Sequence, residues 1–338
     1  MAYETEDYDI QYCFPAINSS CIKGKRSSHE YNIMYVLILL LSIWTVFLNL
    51  LVIISISHFK KLHTPTNLII LSLAVSDLLI GLIVIPIEAI NLIETCWYFG
   101  HIFCGLFVVI IGLLLSVSLG NLVLIAIDRY VAVCYPLLYP HKITMTKTLM
   151  GICICWFGCF SANFGFAINY RYFDTAQVNE CYGGCYLNVP YSLRIMDLFI
   201  SFLIPCTVII ALYLRIFYVV HQQVKIINSL MKSGKCEMED SVKRKSDSKA
   251  ALTLGIIVTV YLLCYIPFYL LYITAVTTAK EISSSMMTFL AWTLYANSGV
   301  NPLIYALFYR WFKISVKRIL TLKIFEPSSS HMDIFTDY

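Results

Sequence analysis

Residues 104–135 read CGLFVVIIGLLLSVSLGNLVLIAIDRYVAVCY. The stretch opens on Cys104 and runs through an apolar body. It ends on Asp128-Arg129-Tyr130, three polar residues at the exit of a hydrophobic segment. A helix rises about 1.5 Å per residue, so this one extends about 48 Å, past a hydrocarbon core of about 30 Å. Such a helix tilts or protrudes. A long tilted helix can touch most of its neighbours. It can carry a tether at one end, a pocket wall in the middle and a switch at the other end.

The remainder of the chain matches that reading. Of 338 residues, 59% are hydrophobic and 13% charged, against about 25% charged in soluble domains. Mean hydropathy is +0.76. Apolar spans fall at about 32–58, 66–91, 103–135, 147–170, 190–220, 250–276 and 285–308. Lipid admits only helices and closed barrels, and spans this long mean helices. The expected architecture is an all-α membrane protein, a seven-transmembrane helix bundle over residues 32–308. Residues 1–31 form an extracellular N-terminal segment. Residues 309–338 hold a short amphipathic eighth helix, with Lys and Arg set against apolar residues from Arg310 to Leu320, and a cytoplasmic tail. Residues 1–30 are polar and begin acidic, so no cleavable signal peptide is expected.

Orientation follows from Lys and Arg. With the N-terminus outside, eighteen of the 24 fall on inner segments and six on outer ones. The charge of +4 thus reflects topology rather than nucleic-acid binding. Asn18-Ser19-Ser20 is a glycosylation sequon in the translocated segment. The polar loop from about 221 to 249 holds Lys243-Arg244-Lys245-Ser246, a solvated basic stretch that also suits phosphorylation at Ser246. Most of the 13 cysteines lie in apolar spans; Cys13, Cys21, Cys104, Cys181 and Cys185 adjoin polar segments and are the candidates for oxidation.

The motifs in order are Asn49, Leu73-Ala74-Val75-Ser76-Asp77, Asp128-Arg129-Tyr130, Trp156, Pro205, Cys264-Tyr265-Ile266-Pro267 and Asn301-Pro302-Leu303-Ile304-Tyr305. Together they resemble rhodopsin-like G protein-coupled receptors over nearly the whole chain. Residues 297–312 (NSGVNPLIYALFYRWF), Cys96-Trp97-Tyr98-Phe99-Gly100 and Cys181-Tyr182-Gly183-Gly184-Cys185 are similar to the trace amine-associated receptors. That resemblance implies a receptor for small, volatile, protonated amines of olfactory type, raising cyclic AMP through a stimulatory heterotrimeric G protein. Two residues depart from the pattern. Ile111 stands where amine receptors usually place an aspartate, and Tyr265 where the helix-six motif usually has tryptophan.

Asp197 lies mid-span, eight residues before Pro205. A carboxylate there costs about 2.5–3.5 kcal/mol on insertion scales, so it faces the bundle and has a partner. A protonated amine is one candidate, supported by the resemblance, which places an amine-binding aspartate at this position in many members. Arg194, one turn away on the same face, is the other, and by neutralising Asp197 it would leave a receptor of the same fold for a non-amine ligand. Tyr265, Phe268, Tyr269 and Tyr272 share one helical face, with Trp292 and Tyr295 as possible additions from span seven. Ile111, Leu115 and Ser201 complete the expected pocket. Glu88 is a second acid in an apolar run, a candidate for a second ammonium group.

Other roles come from the resemblance. Asp77 with Ser118, Asn297, Ser298 and Asn301 resembles a sodium-binding cluster, and oxygen ligands suit such a cation. A hydrogen-bond network with water is the other reading. Arg129 pairs at rest with Asp128 and with Asp247, and Tyr213 and Tyr305 resemble the tyrosines that rearrange on activation. Cys104–Cys185 matches the family disulfide; Cys181 resembles an extra cysteine paired with the N-terminal segment, through Cys21 or Cys13. Among rival classes, a transporter prefers matched repeats, a channel needs pore-lining charges. An opsin needs a lysine that 285–308 lacks, and no nucleophile sits beside a base to suggest an enzyme.

Overall fold

The computed structural model describes residues 11–24, 26–169, 172–173, 181–185, 190–232, 255–271, 273–274, 284–326 and 329–331. Asp247, Ser246 and Tyr272 lie outside the described residues, as does the side chain of Arg194.

Helix α1 spans Ser28–His58. It starts earlier than hydropathy suggests because Ser27 and Glu30 form a capping box, which satisfies backbone donors at the polar helix start. Helix α2 spans Pro65–Glu94, begun by a Thr64 cap with Pro65 in its first turn. Helix α3 covers His101–Cys134, and α4 Met145–Asn169. Helix α5 runs as Tyr191–Asp197, a wider turn at Leu198–Leu203, and Ile204–Lys232. It extends past the expected limit near 220 on Gln222, Gln223 and Lys225, good helix formers that need no lipid. Helices α6 (Gly255–Leu271) and α7 (Ser284–Phe308) follow. Tyr309 breaks the run with extended backbone, and α8 (Arg310–Leu320) buries Trp311, Phe312 and Ser315 while Lys313 and Lys317 stay exposed. Five of these helices are long and apolar enough to cross a membrane, and α6 is a shorter apolar helix.

Two π turns interrupt α2 and α5 in the same way. Ile85 donates its N–H to the Ile80 carbonyl, and Ile204 to that of Phe199, each five residues back. Pro86 and Pro205 come next. A proline ring clashes with the carbonyl four residues earlier and offers no donor. A turn one residue wider accommodates it. The extra residue rotates the preceding face by about 100° relative to a continuous α-helix.

Helix α3 lies centrally, packed against α2, α4 and α5. Its close fit depends on Gly112 and Gly120: a Cβ at the first would collide with Asn163 Oδ1, and at the second with Cys155 Sγ. The core is apolar, with Val52, Ile70, Leu122, Tyr265 and Tyr305 among its buried members. The reverse faces are apolar as well: Leu40, Ile154 and Phe157 are exposed, Phe157 at 73%. Apolar residues inside and outside are the mark of a bundle solvated by lipid.

Candidate functional site

A cavity of about 400 Å³ opens between α3, α4, α5 and α6. Asp197 is the last residue before the π turn of α5, and its carboxylate lines this cavity. Ser201, one turn on, donates its hydroxyl to Asp197 Oδ1 at 2.6 Å. Ile111 and Leu115 of α3 form the facing wall, and Tyr261, Tyr265 and Tyr269 the floor and side from α6. These rings are braced by one another. Tyr261 stacks on Tyr265 at 3.9 Å, and Phe202 of α5 stacks on Tyr269 at 4.3 Å. Among the described lining residues Asp197 is the single carboxylate, and none is Lys, Arg or His.

The structure thus brings together Asp197, Ser201, Ile111, Leu115, Tyr265 and Tyr269. Phe268 stands edge-on to Tyr269 at 5.8 Å but is not in this cavity's lining. Tyr295 is buried in α7, Glu88 lies half-buried in α2, and neither lines the cavity. Trp292 is half-buried, packed against the core. Sequence reasoning missed Tyr261, which extends the α6 stripe by one turn, and Asn163, an amide within the apolar run of α4.

Beneath this cavity lies a buried polar network. Asn301 Nδ2 donates to Asp77 Oδ2 at 2.8 Å, Ser118 Oγ reaches Oδ1 at 3.4 Å, and the Ser298 side chain also bonds this carboxyl. Asn49 ties α1 in by donating to the Ser298 carbonyl at 3.0 Å. Asn297 is buried with its Oδ1 lacking a hydrogen-bond partner among the described residues.

At the far end of α3, Asp128 is 2% exposed and fully engaged. Arg129 Nε donates to its Oδ2 at 2.9 Å, Thr66 Oγ1 donates to the same oxygen at 2.8 Å, and Tyr139 donates to Oδ1 at 3.0 Å. Arg129 also donates to Thr66, so Asp128 and Thr66 are the partners the structure gives it. Burial, and the Asp128 charge after it, raise the pKa of the Tyr139 phenol and keep it a donor. Tyr130 stands edge-on to Tyr135 at 5.8 Å. The hydroxyls of Tyr213, Tyr305 and Tyr309 are buried without partners among the described residues. Orphan phenols of this kind cost free energy.

The opposite face is stitched covalently. Disulfides join Cys104 to Cys185, Cys21 to Cys181, and Cys13 to Cys96. The structure therefore selects Cys21 over Cys13 as the partner of Cys181. Cys13 instead holds the end of α2, a bond not foreseen although five oxidation candidates left one thiol over. Backbone bonds reinforce the stitch: Cys21 donates to Tyr182, and Trp97 to Gly183, at 2.9 and 2.7 Å. Gly183, at φ +96°, packs against Cys13 and Phe14, where a side chain would be strained. Lys23 bridges to Glu94 at 2.6 Å, and that hydrogen bond raises the lysine pKa. Asn18 is exposed, while Ser20 of its sequon is buried and accepts the Phe14 N–H at 2.8 Å.

A helical bundle with a pocket at one end, a buried polar core and an Arg-carboxylate cluster at the other defines a multi-pass membrane receptor. The family described as 7 transmembrane receptor (rhodopsin family) matches residues 48–305. Trace amine-associated receptor 13c of Danio rerio is 38% identical over 345 residues, covering 99% of this chain and all of the relative. Trace amine-associated receptor 9 of Rattus norvegicus is 36% identical, covering 97% of this chain and 98% of its own length. Trace amine-associated receptor 1 of Homo sapiens is 34% identical, with 97% and 99% covered. The chain belongs to the rhodopsin family of seven-transmembrane receptors, and within it to the trace amine-associated receptors.

Proposed function

We propose that this receptor binds small, volatile protonated amines of olfactory type, with the ammonium held by Asp197 and Ser201. The observation that carries the reading is a single carboxylate in a cavity of about 400 Å³ that is otherwise neutral and aromatic along its described walls. The Asp197 carboxylate is exposed and accepts from Ser201, which leaves further lone pairs for a cationic ligand. The tyrosines of α6 add ring faces that attract a desolvated cation. The names of the relatives, trace amine-associated receptors, support the same ligand class.

The stitched face then lies outside the cell, and the Arg129 end meets a stimulatory heterotrimeric G protein that raises cyclic AMP. The excess of basic residues on that side supports this orientation. Asp77, Ser118, Ser298 and Asn301 offer an oxygen-rich set suited to Na⁺, with Asn297 Oδ1, which has no partner among the described residues, as a further ligand.

The test is a cyclic AMP screen of cells expressing the receptor against amines and matched neutral analogues. Amines alone should activate, and Asp197→Ala should abolish the response with surface expression intact. An unchanged dose–response curve in that variant refutes the assignment.

A further inference from the structure

We propose that Asn163 is a second, neutral anchor for the ligand, so that the cavity favours amines bearing a hydroxyl over diamines. The inference rests on the amine reading above and deepens it. Asn163 projects from α4 into the cavity that holds Asp197. Its Nδ2 is committed, donating to the Cys159 carbonyl at 2.8 Å and reaching Ser116 Oγ at 3.5 Å. That commitment sets the amide orientation and leaves Oδ1 as the accepting end. No donor among the described residues meets Oδ1.

Gly112 is what lets the amide reach this place. It sits beside Ile111 on the cavity wall of α3, and any Cβ there would collide with Asn163 Oδ1. A backbone position stripped of its side chain thus puts an acceptor on the α4 wall, with Asp197 on the α5 wall. The charge balance then selects the ligand. One carboxylate among the described walls neutralises one ammonium. A second ammonium held at Asn163 would face a neutral amide, with no further carboxylate among the described walls to offset its desolvation. A hydroxyl donates one hydrogen bond to Oδ1 at far smaller cost.

The experiment uses the full receptor, purified in detergent, and reads binding as a rise in unfolding temperature on ligand titration. This readout needs no coupling to a G protein. Three probes of equal chain length are compared: a linear alkylamine, the matching terminal amino alcohol and the matching terminal diamine. The wild type should bind the amino alcohol most tightly. Asn163→Leu and Gly112→Ala should each lower the ratio of amino alcohol to alkylamine affinity about tenfold, the worth of one hydrogen bond. Asn163→Asp should reverse the order and favour the diamine. Parallel losses for all three probes, or an unchanged order in Asn163→Asp, overturn the assignment of Asn163 while leaving the amine reading standing. A wild type that binds none of the three overturns both.

Discussion

Asp197 shows how much one residue can carry. It was legible in the sequence because an acid in an apolar run must face something polar. Its neighbours were legible in part: Tyr265 and Tyr269 share one face of α6 across the cavity from it, and Ser201 follows it by one turn. Asn163 was not, because its role depends on a glycine of another helix, and sequence periodicity says nothing of contacts between helices. At the opposite end, Tyr139 makes a separate test. Replacing it with Phe removes the donor at 3.0 Å from Asp128 Oδ1. Loss of a hydrogen bond to a buried carboxylate should cost about 1.5–3 kcal/mol, and the Tm of the purified receptor should fall. An unchanged Tm would show that Thr66 and Arg129 alone satisfy that acid.

Among the elements, α5 has most at stake. Its π turn at Leu198–Leu203 separates Asp197 from the continuous helix that begins at Ile204. Deleting Phe199 should restore a regular α-helical register and turn Asp197 about 100° away from the cavity. Amine responses should disappear while surface expression persists; a preserved response would show that the turn does not aim the carboxylate. Hydropathy located this helix and its proline but not the wider turn, because a π turn adds a residue without changing composition. Helix α8 was legible as an amphipathic pattern, and its buried Trp311 and Phe312 agree with it. Truncating Phe312 to Ala should cost about 3–5 kcal/mol of packing and loosen α8 from α1 and α7, which proteolysis near Leu320 would report.

At the scale of the whole molecule, the bundle is closed at one face by three disulfides, while at the other the hydroxyls of Tyr213, Tyr305 and Tyr309 have no partner among the described residues. Covalent constraint is therefore concentrated at the disulfide-bonded face. Replacing both Cys13 and Cys96 by Ser should lower stability by about 2–4 kcal/mol. A Tm unaffected by the double change would show that the backbone stitch suffices. The Lys23–Glu94 bridge adds a pH term of known sign. A raised lysine pKa means its contribution is present at neutral pH and is lost only as pH climbs through that elevated value. The protection of the Gly24 amide, which donates to Thr95 Oγ1 at 2.6 Å, measured against its intrinsic exchange rate at each pH, should hold at pH 7 and fall as pH climbs through the elevated lysine value.

The placement of those three bonds along the chain also governs how the receptor is made. Cys13 and Cys21 leave the ribosome long before their partners, which follow 83 and 160 residues later. Until α2 is threaded, the first thiol that either can meet is the other. Biogenesis in an oxidising compartment must then either hold both reduced or undo an early mispairing by thiol exchange, so secretory oxidoreductases, rather than lipid insertion, would set the yield of correctly paired receptor.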